Sequence, residues 1–185
     1  HKQVWHLQEY FSGSGVFSAR AVSDGLRVLF PVDYRYGWDL HLKEHRALLD
    51  RCDDVCKPGI FMFSPDWPNW SGSSKRKELK GAQRDRDNDK ELILWIKDRS
   101  EKMSSEGRHF LGLSPDTSLI HKRSDDYKAI HNIDGYIADQ VTAMCQFFLM
   151  NSRREFVERR TKVDSNMELH LSLRRCNGHG TEKHG

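Results

Sequence analysis

The sequence predicts an α/β fold, a doubly wound and mostly parallel sheet with an antiparallel C-terminal strand pair. Three observations carry this prediction. Short apolar runs alternate with charged, helix-periodic segments through the first half of the chain. A glycine-rich turn, "SGSG", follows the first run and opens a helix. Loops rich in polar and aromatic residues, "EYFSGSG", "VDYRYGWDL" and "SPDWPNWS", follow the first three runs, and in open α/β sheets the carboxyl ends of the strands are where ligands sit.

The elements follow in order. Residues 3–10, "QVWHLQEY", alternate as a strand does. "GVFSARAVSDG" reads as a short helix closed by Gly25, with Phe17 and Val22 on its inner face. "LRVLFPVD" is an apolar run with Asp33 at its carboxyl end, the pattern of a buried parallel strand. "DLHLKEHRALLDRC" sets Leu40, Leu42, Leu48 and Leu49 among charges, as an amphipathic helix does. "GIFMFS" is a third buried strand. Residues 71–90 hold almost no apolar side chain and predict an exposed, mobile basic loop leading into the helix "ELILWIKDRSEKM", which runs to about Gly107. "RHFLGLS" is a fourth strand, and "PDTSLIHKRSDDYKAIHNIDG" a mixed polar connection. "VTAMCQFFLM" and "REFVERRTKV" form the antiparallel pair, and "NMELHLSLRRC" a last short helix before a flexible tail, 177–185.

A chain of 185 residues is of single-domain size, so 1–185 is read as one domain. Charged residues make up 31% and apolar ones 37%, a globular and water-soluble balance. The longest apolar runs are far too short to span a bilayer, and no basic-then-apolar leader opens the sequence, so no membrane partner is expected. Its abrupt ends fit a piece cut from a longer polyprotein. Four cysteines are too few for a disulfide framework, which predicts a reducing, intracellular compartment, cytoplasmic or nuclear.

Glycines at a bend let backbone approach a ligand closely, and an acid ending the next strand can accept hydrogen bonds from ribose hydroxyls. Gly13, Gly15 and Asp33 stand in those places. The net charge of +3 is mild, but Lys75, Arg76, Lys77 and Lys80 cluster beside Trp67 and Trp70. Such a segment is either a solvated surface or a platform for nucleic acid, with phosphates on the cations and bases stacked on the indoles; the tryptophans alternatively pack under the loop. Cys145, Cys176, His179 and His184 carry the residue types of a tetrahedral zinc site or are ordinary surface residues. Cys52 and Cys56, one helical turn apart, read as packing residues.

Taken together, "LQEYFSGSGVFS", "VDYRYGWDL" and "SPDWPNWS" resemble the first half of the class I S-adenosylmethionine-dependent methyltransferases, whose fold is Rossmann-like, and the DNA cytosine-5 methyltransferases in particular. With "EGRHFLGLSP" and "RRCNGHGTEKH" added, the chain is more similar still to the methyltransferase-like domains of retroelement polyproteins in dinoflagellate algae. The resemblance implies that Glu9, Phe11, Ser12, Gly13, Ser14 and Gly15 form the pocket for the methionine part and adenine edge of S-adenosylmethionine. It implies that Asp33 binds the ribose and that Trp38 or Asp39 lies near the adenine.

The catalytic positions depart from the family. Cytosine-5 methylation needs a thiolate that adds to the base and a carboxylic acid at the ring nitrogen. The matching residues here are Trp67 and Leu113, which supply neither. "SPDW" is also similar to the motif of amino-methyltransferases, which makes Ser64, Asp66 and Trp67 the candidate catalytic residues: a polar side chain, a carboxylate that acts as base or caps the turn, and an aromatic that stacks on an extruded base. Two functional expectations follow: an S-adenosylmethionine-binding methyltransferase acting on nucleic acid, or an inactive nucleic-acid- or protein-binding module derived from one.

Overall fold

Leu7–Tyr10 forms strand β1, buried along its whole length because it has neighbours on both edges and layers on both faces. The protein is described from a computed structural model over residues 4–65, 68–71, 81–143 and 160–169. The architecture is α/β, built on one mixed open sheet. Five strands pair in the order β1, β2 (Ile60–Phe63), β3 (His109–Pro115), β5 (Arg160–Ser165) and β4 (Ile137–Ala143). A sixth extended segment, 28–32, lies on the outer edge of β1 through parallel bridges Leu7 to Val28 and Tyr10 to Val32. Pro31 has no N–H to give to a further strand, which suits that edge position.

β1, β2 and β3 run parallel. β5 runs against both β3 and β4 and is inserted between them; a C-terminal antiparallel pair is present, but it joins 137–143 to 160–165, and the remainder of the expected strands, 144–159, lies outside the described residues. From β1 the chain passes through α1 (Val16–Ser23) to the edge segment on one side, then through α2 (Lys43–Cys56) to β2 on the other. The strand order therefore reverses between β1 and β2. α3 (Gly81–Ser105) continues to β3.

Side-chain alternation gives each face its own cluster. Tyr10, Phe61, Phe63 and Phe110 meet Leu49 of α2 and Leu92, Ile93, Ile96 and Met103 of α3. On the opposite face Leu7 and Met62 meet Ala21 of α1, with Leu111 and Leu113 against them. Gly112 is required by the larger cluster, since a Cβ there would lie 2.5 Å from the buried Phe63 ring.

Several expectations are corrected. Phe17 and Val22 point outward, and Ser18 and Ala21 face the sheet. The cause is Glu9, whose Oε2 accepts from the Ser18 N–H at 3.0 Å and from its hydroxyl at 2.5 Å, which fixes the rotation of α1. Leu42 and Leu48 are exposed, while Leu40 and Leu49 are buried. Residues 81–90 are helix rather than loop. They are held by Arg86, which donates to the Asn69 carbonyl at 3.0 Å, and by Asp89, which accepts from the Trp70 indole N–H at 2.9 Å. The polar connection after β3 contains two short helices, α4 (Ile120–Arg123) and α5 (Asp125–Lys128). Residues 166–169 are not helical; the rest of the expected last helix and the tail 177–185 lie outside the described residues. No described helix is long and apolar enough to cross a membrane.

A buried ion cluster joins α2, α3 and the start of β3. Asp53, 1% exposed, takes both terminal nitrogens of Arg108 at 2.7 and 2.8 Å, with Arg99 at 3.3 Å and Lys102 at 3.2 Å. The Arg99 guanidinium also lies over the rings of Tyr10, Phe61 and Trp95 at 4.9 to 5.4 Å. Burial alone would raise the Asp53 carboxyl, but Arg108, Arg99 and Lys102 outweigh it and hold the group below the usual carboxylate range. A depressed folded-state value contributes stability that is present above the unfolded value of 3.8 and is lost as the pH falls through the folded one. Asp53→Asn is therefore expected to cost about 3 kcal/mol near neutrality, by stranding buried cations. The gap between the wild type and the variant should narrow below about pH 4. Urea unfolding of both proteins across that range checks the size and the direction.

Candidate functional site

The bend after β1 is built from residues that alternate into the left-handed region, Phe11 at φ 57°, Gly13 at 56° and Gly15 at 67°. Phe11 is there without a glycine's freedom, and such a conformation persists only where its surroundings fix it. The Ser12 N–H donates to the Val32 carbonyl at 3.3 Å and the Gly15 N–H to the Ser12 carbonyl at 2.8 Å. The Gly13 N–H donates to Asp33 Oδ2 at 2.8 Å. The other oxygen of Asp33 accepts from the Arg35 N–H at 3.0 Å and caps the turn Tyr34–Tyr36. Asp33 thus locks two bends together, and each of its oxygens keeps a lone pair for a ligand.

Beyond this bracket lies a hollow of about 380 Å³ at the carboxyl ends of β1 and β2, where the strand order reverses. It is within the usual size range of small-molecule sites. The structure brings six of the sequence-predicted residues to its wall: Phe11, Gly13, Asp33, Trp38, Asp39 and Ser64. Trp38 is stacked on Phe30 at 5.6 Å and meets His45 edge-on. Asp39 holds its own loop, accepting from the His41 N–H at 3.0 Å. Ser64 continues the line of β2, its N–H donating to the Tyr10 carbonyl at 3.2 Å.

The other predicted residues are placed elsewhere. Glu9 is buried beneath the bend on the start of α1 and does not reach the hollow. Ser12 is half-buried in the bend, Ser14 is exposed, and Gly15 is buried at the helix start, where a Cβ would sit 3.2 Å from the Tyr36 hydroxyl. Trp70 is 5% exposed, with its N–H on Asp89 and Arg86 5.4 Å from its ring centre. This corrects the expectation of an open stacking surface at that residue, because the indole is part of the core under α3. Asp66, Trp67, Lys75, Arg76, Lys77, Lys80, Cys145, Cys176, His179 and His184 lie outside the described residues. Cys52 and Cys56 are half-buried, with sulfurs 3.9 Å apart, and burial first and Cys56 second push the Cys52 thiol up to about 11.

Leu40, Asn69, Asp89 and Leu92 also line the hollow and were not read as site residues from the sequence. Leu92 was legible as an apolar helix position; Asp89 was not, because its role depends on Trp70 folding back beneath it. The resulting wall has apolar faces from Phe11, Trp38, Leu40 and Leu92, three carboxylates from Asp33, Asp39 and Asp89, and, among the described residues, no lysine or arginine. Such a wall favours hydroxyl and ammonium donors and cationic centres, and it repels phosphates. The start of α1, where a phosphate would bind a helix N-terminus, is already occupied by the Glu9 carboxylate.

A second polar cluster lies between β3, β5 and the α4–α5 connection. Asp164, fully buried, accepts from the phenols of Tyr127 at 2.9 Å and Tyr136 at 2.8 Å, with His131 Nε2 at 3.3 Å. Burial pushes Asp164 up, but His131, His121 and Tyr136 bring it below the usual carboxylate range. Burial, ahead of all other effects, pushes the His121 imidazole down to about 4.

No family model, curated protein or solved structure matches the chain.

The Glu9 contact gives a direct test of how the bend is held. Glu9→Gln keeps one carbonyl oxygen for the Ser18 N–H and hydroxyl, but it puts an amide NH2 in place of the second oxygen in a buried site and removes a charge from the positive end of α1. The expected loss is about 1 to 2 kcal/mol, read as a lowered urea midpoint with unchanged slope.

Proposed function

We propose that the chain binds S-adenosylmethionine, or its demethylated product, in the hollow above Gly13 and Asp33, and is a methyltransferase-like protein. The observation that carries this reading is the charge of the wall. S-adenosylmethionine carries a sulfonium and an ammonium against one carboxylate, and that net positive charge suits apolar faces set among three aspartates, whereas a nucleotide polyphosphate would meet carboxylates where it needs cations. Asp33 accepts from the ribose hydroxyls through its remaining lone pairs, and Phe11 and Trp38 flank the adenine. The reversal of strand order beside the hollow, and β5 inserted against its neighbours, are consistent with the Rossmann-like methyltransferase fold that the sequence resembles.

If methyl transfer occurs, it proceeds by in-line displacement onto a nitrogen or oxygen held at the Ser64 edge, with positioning supplying most of the rate. Cysteine-dependent cytosine chemistry is not part of the proposal, because Trp67 and Leu113 stand at those positions and Leu113 packs beside Met62. The basic segment with Lys75, Arg76, Lys77 and Lys80 makes nucleic acid the polymer of choice, in an intracellular setting. Those same substitutions favour a second reading, an inactive module that retains the cofactor pocket for binding alone.

Calorimetric titration of the full chain with S-adenosylhomocysteine is expected to show one site. Asp33→Asn, which keeps an acceptor for the Gly13 N–H, should weaken it by about tenfold or more, and ATP and NAD should not compete. No heat with the wild type overturns the proposal. Incubation with methyl-labelled cofactor and mixed DNA and RNA then separates the readings: label on either polymer gives an enzyme, and cofactor binding without label gives the binding module.

A further inference from the structure

We propose that His121, His131 and Asp164 form a binding site for a divalent first-row transition ion of the zinc type, independent of the nucleoside hollow and of the Cys/His set read in the sequence. One ring nitrogen of each histidine and a carboxylate oxygen of Asp164 lie within 4.8 Å of one another. They come from three separated pieces of chain: α4, the turn Ala129–Asn132 and β5.

The strongest sign is what these groups lack. His121 Nδ1 and His131 Nε2 are both buried and neither has a hydrogen-bond partner, although leaving a buried polar atom unsatisfied is costly. His131 Nε2 stands 3.3 Å from Asp164 Oδ1, a long ion-pair contact rather than a well-aligned hydrogen bond. With metal–nitrogen and metal–oxygen bonds of about 2.0 to 2.2 Å, two ligand atoms of a tetrahedral site are about 3.3 to 3.6 Å apart. The His131–Asp164 separation fits two ligands sharing an ion, and the whole set closes within 4.8 Å. Asp164 also has no lysine or arginine ion pair among the described residues. Asp53, the other fully buried aspartate in an ion cluster, has three cations. A divalent ion supplies the missing charge.

The surroundings hold the ligands as metal sites require. His121 Nε2 meets the Ser114 hydroxyl at 2.8 Å, which leaves the Nδ1 lone pair directed elsewhere when Nε2 carries the proton. The Tyr127 and Tyr136 phenols fix the carboxylate, and the same rings pack on the imidazoles, Tyr136 stacked on His131 at 4.8 Å and Tyr127 edge-on to His121 at 5.3 Å. Two imidazoles with one carboxylate select a borderline ion over magnesium or calcium, and the lack of thiolate disfavours copper(I). Three protein ligands leave one coordination position for water or another donor.

The test uses the full chain stripped by a chelator and titrated with zinc chloride in a calorimeter, and with cobalt chloride in a spectrophotometer. The expected result is one equivalent bound at this site, with cobalt bands of a nitrogen and oxygen set and no thiolate charge-transfer band. That equivalent should vanish in His131→Gln and in His121→Ala, and weaken by about tenfold in Ser114→Ala. Circular dichroism confirms that each variant is folded. Imidazole nitrogen shifts of His121 and His131 in the wild type, with and without zinc, give a readout that needs no variant. Unmoved shifts, or an equivalent kept in folded His131→Gln and lost in Cys176→Ala, overturn the proposal.

Discussion

The buried carboxylate of Glu9 against the first turn of α1 is the constraint on which the ligand end of the molecule depends. Glu9 sits in a strand whose every residue is buried, so its charge must be met internally. It is met by the N–H and hydroxyl of Ser18 and by the positive end of the helix. That contact sets the rotation of α1, brings Ala21 onto the small cluster and turns Phe17 outward. It also fixes the length of the bend between strand and helix, which then closes only through left-handed residues at 11, 13 and 15. One side chain therefore determines both the helix packing and the shape of the floor above which the hollow opens. Because Glu9 supplies the anion at the helix start from within, the bend has no need of a phosphate.

Asp33 performs the matching task from the neighbouring chain. The edge segment is tied to β1 by backbone bonds from Leu29 to Leu7, from Val32 to Glu9 and from Ser12 to Val32, and Asp33 carries the tie one residue further. The Gly13 N–H supplies that tie, and the Arg35 N–H turns the chain back toward Trp38. The carboxylate is thus oriented before any ligand arrives, which lowers the ordering cost of recognition. The same economy accounts for Asp39, fixed by His41, and Asp89, fixed by Trp70. All three acids of the wall are set by protein donors.

What the sequence disclosed and what it hid divide along the range of the interactions. The strands were legible because "IFMF" and "HFLGLSP" hold apolar runs that a covered sheet accommodates, and because "QVWHLQEY" alternates. Gly13 and Asp33 were legible because bends and strand ends impose local chemistry on a few adjacent residues. Phe17 and Val22 misled because helix periodicity fixes a spacing and not a rotation, and the rotation came from Glu9. Trp70 and the first turns of α3 misled for a related reason. A polar stretch with Arg86 and Asp89 reads as solvated until a distant indole and carbonyl meet it. His121, His131 and Asp164 share no local spacing at all and converge only through the pairing of β3 with β5.

Asp53 and Asp164 show how burial of the same side chain leads to two kinds of site. Asp53 is on α2 and Asp164 on β5, and each is buried and held below the usual carboxylate range. Around Asp53 the partners are permanent cations, two guanidiniums and an ammonium, so the charge is balanced inside the fold and the group serves packing alone. Around Asp164 the partners are phenols and imidazoles, with no lysine or arginine at ion-pair distance among the described residues. A buried carboxylate with no permanent cation against it remains an attractor for a cation of the right size. The inserted strand β5 generates that difference. It carries Asp164 under aromatic α5 and the Ala129–Asn132 turn, while Arg99 and Arg108 stay with α3 and the start of β3, beside Asp53.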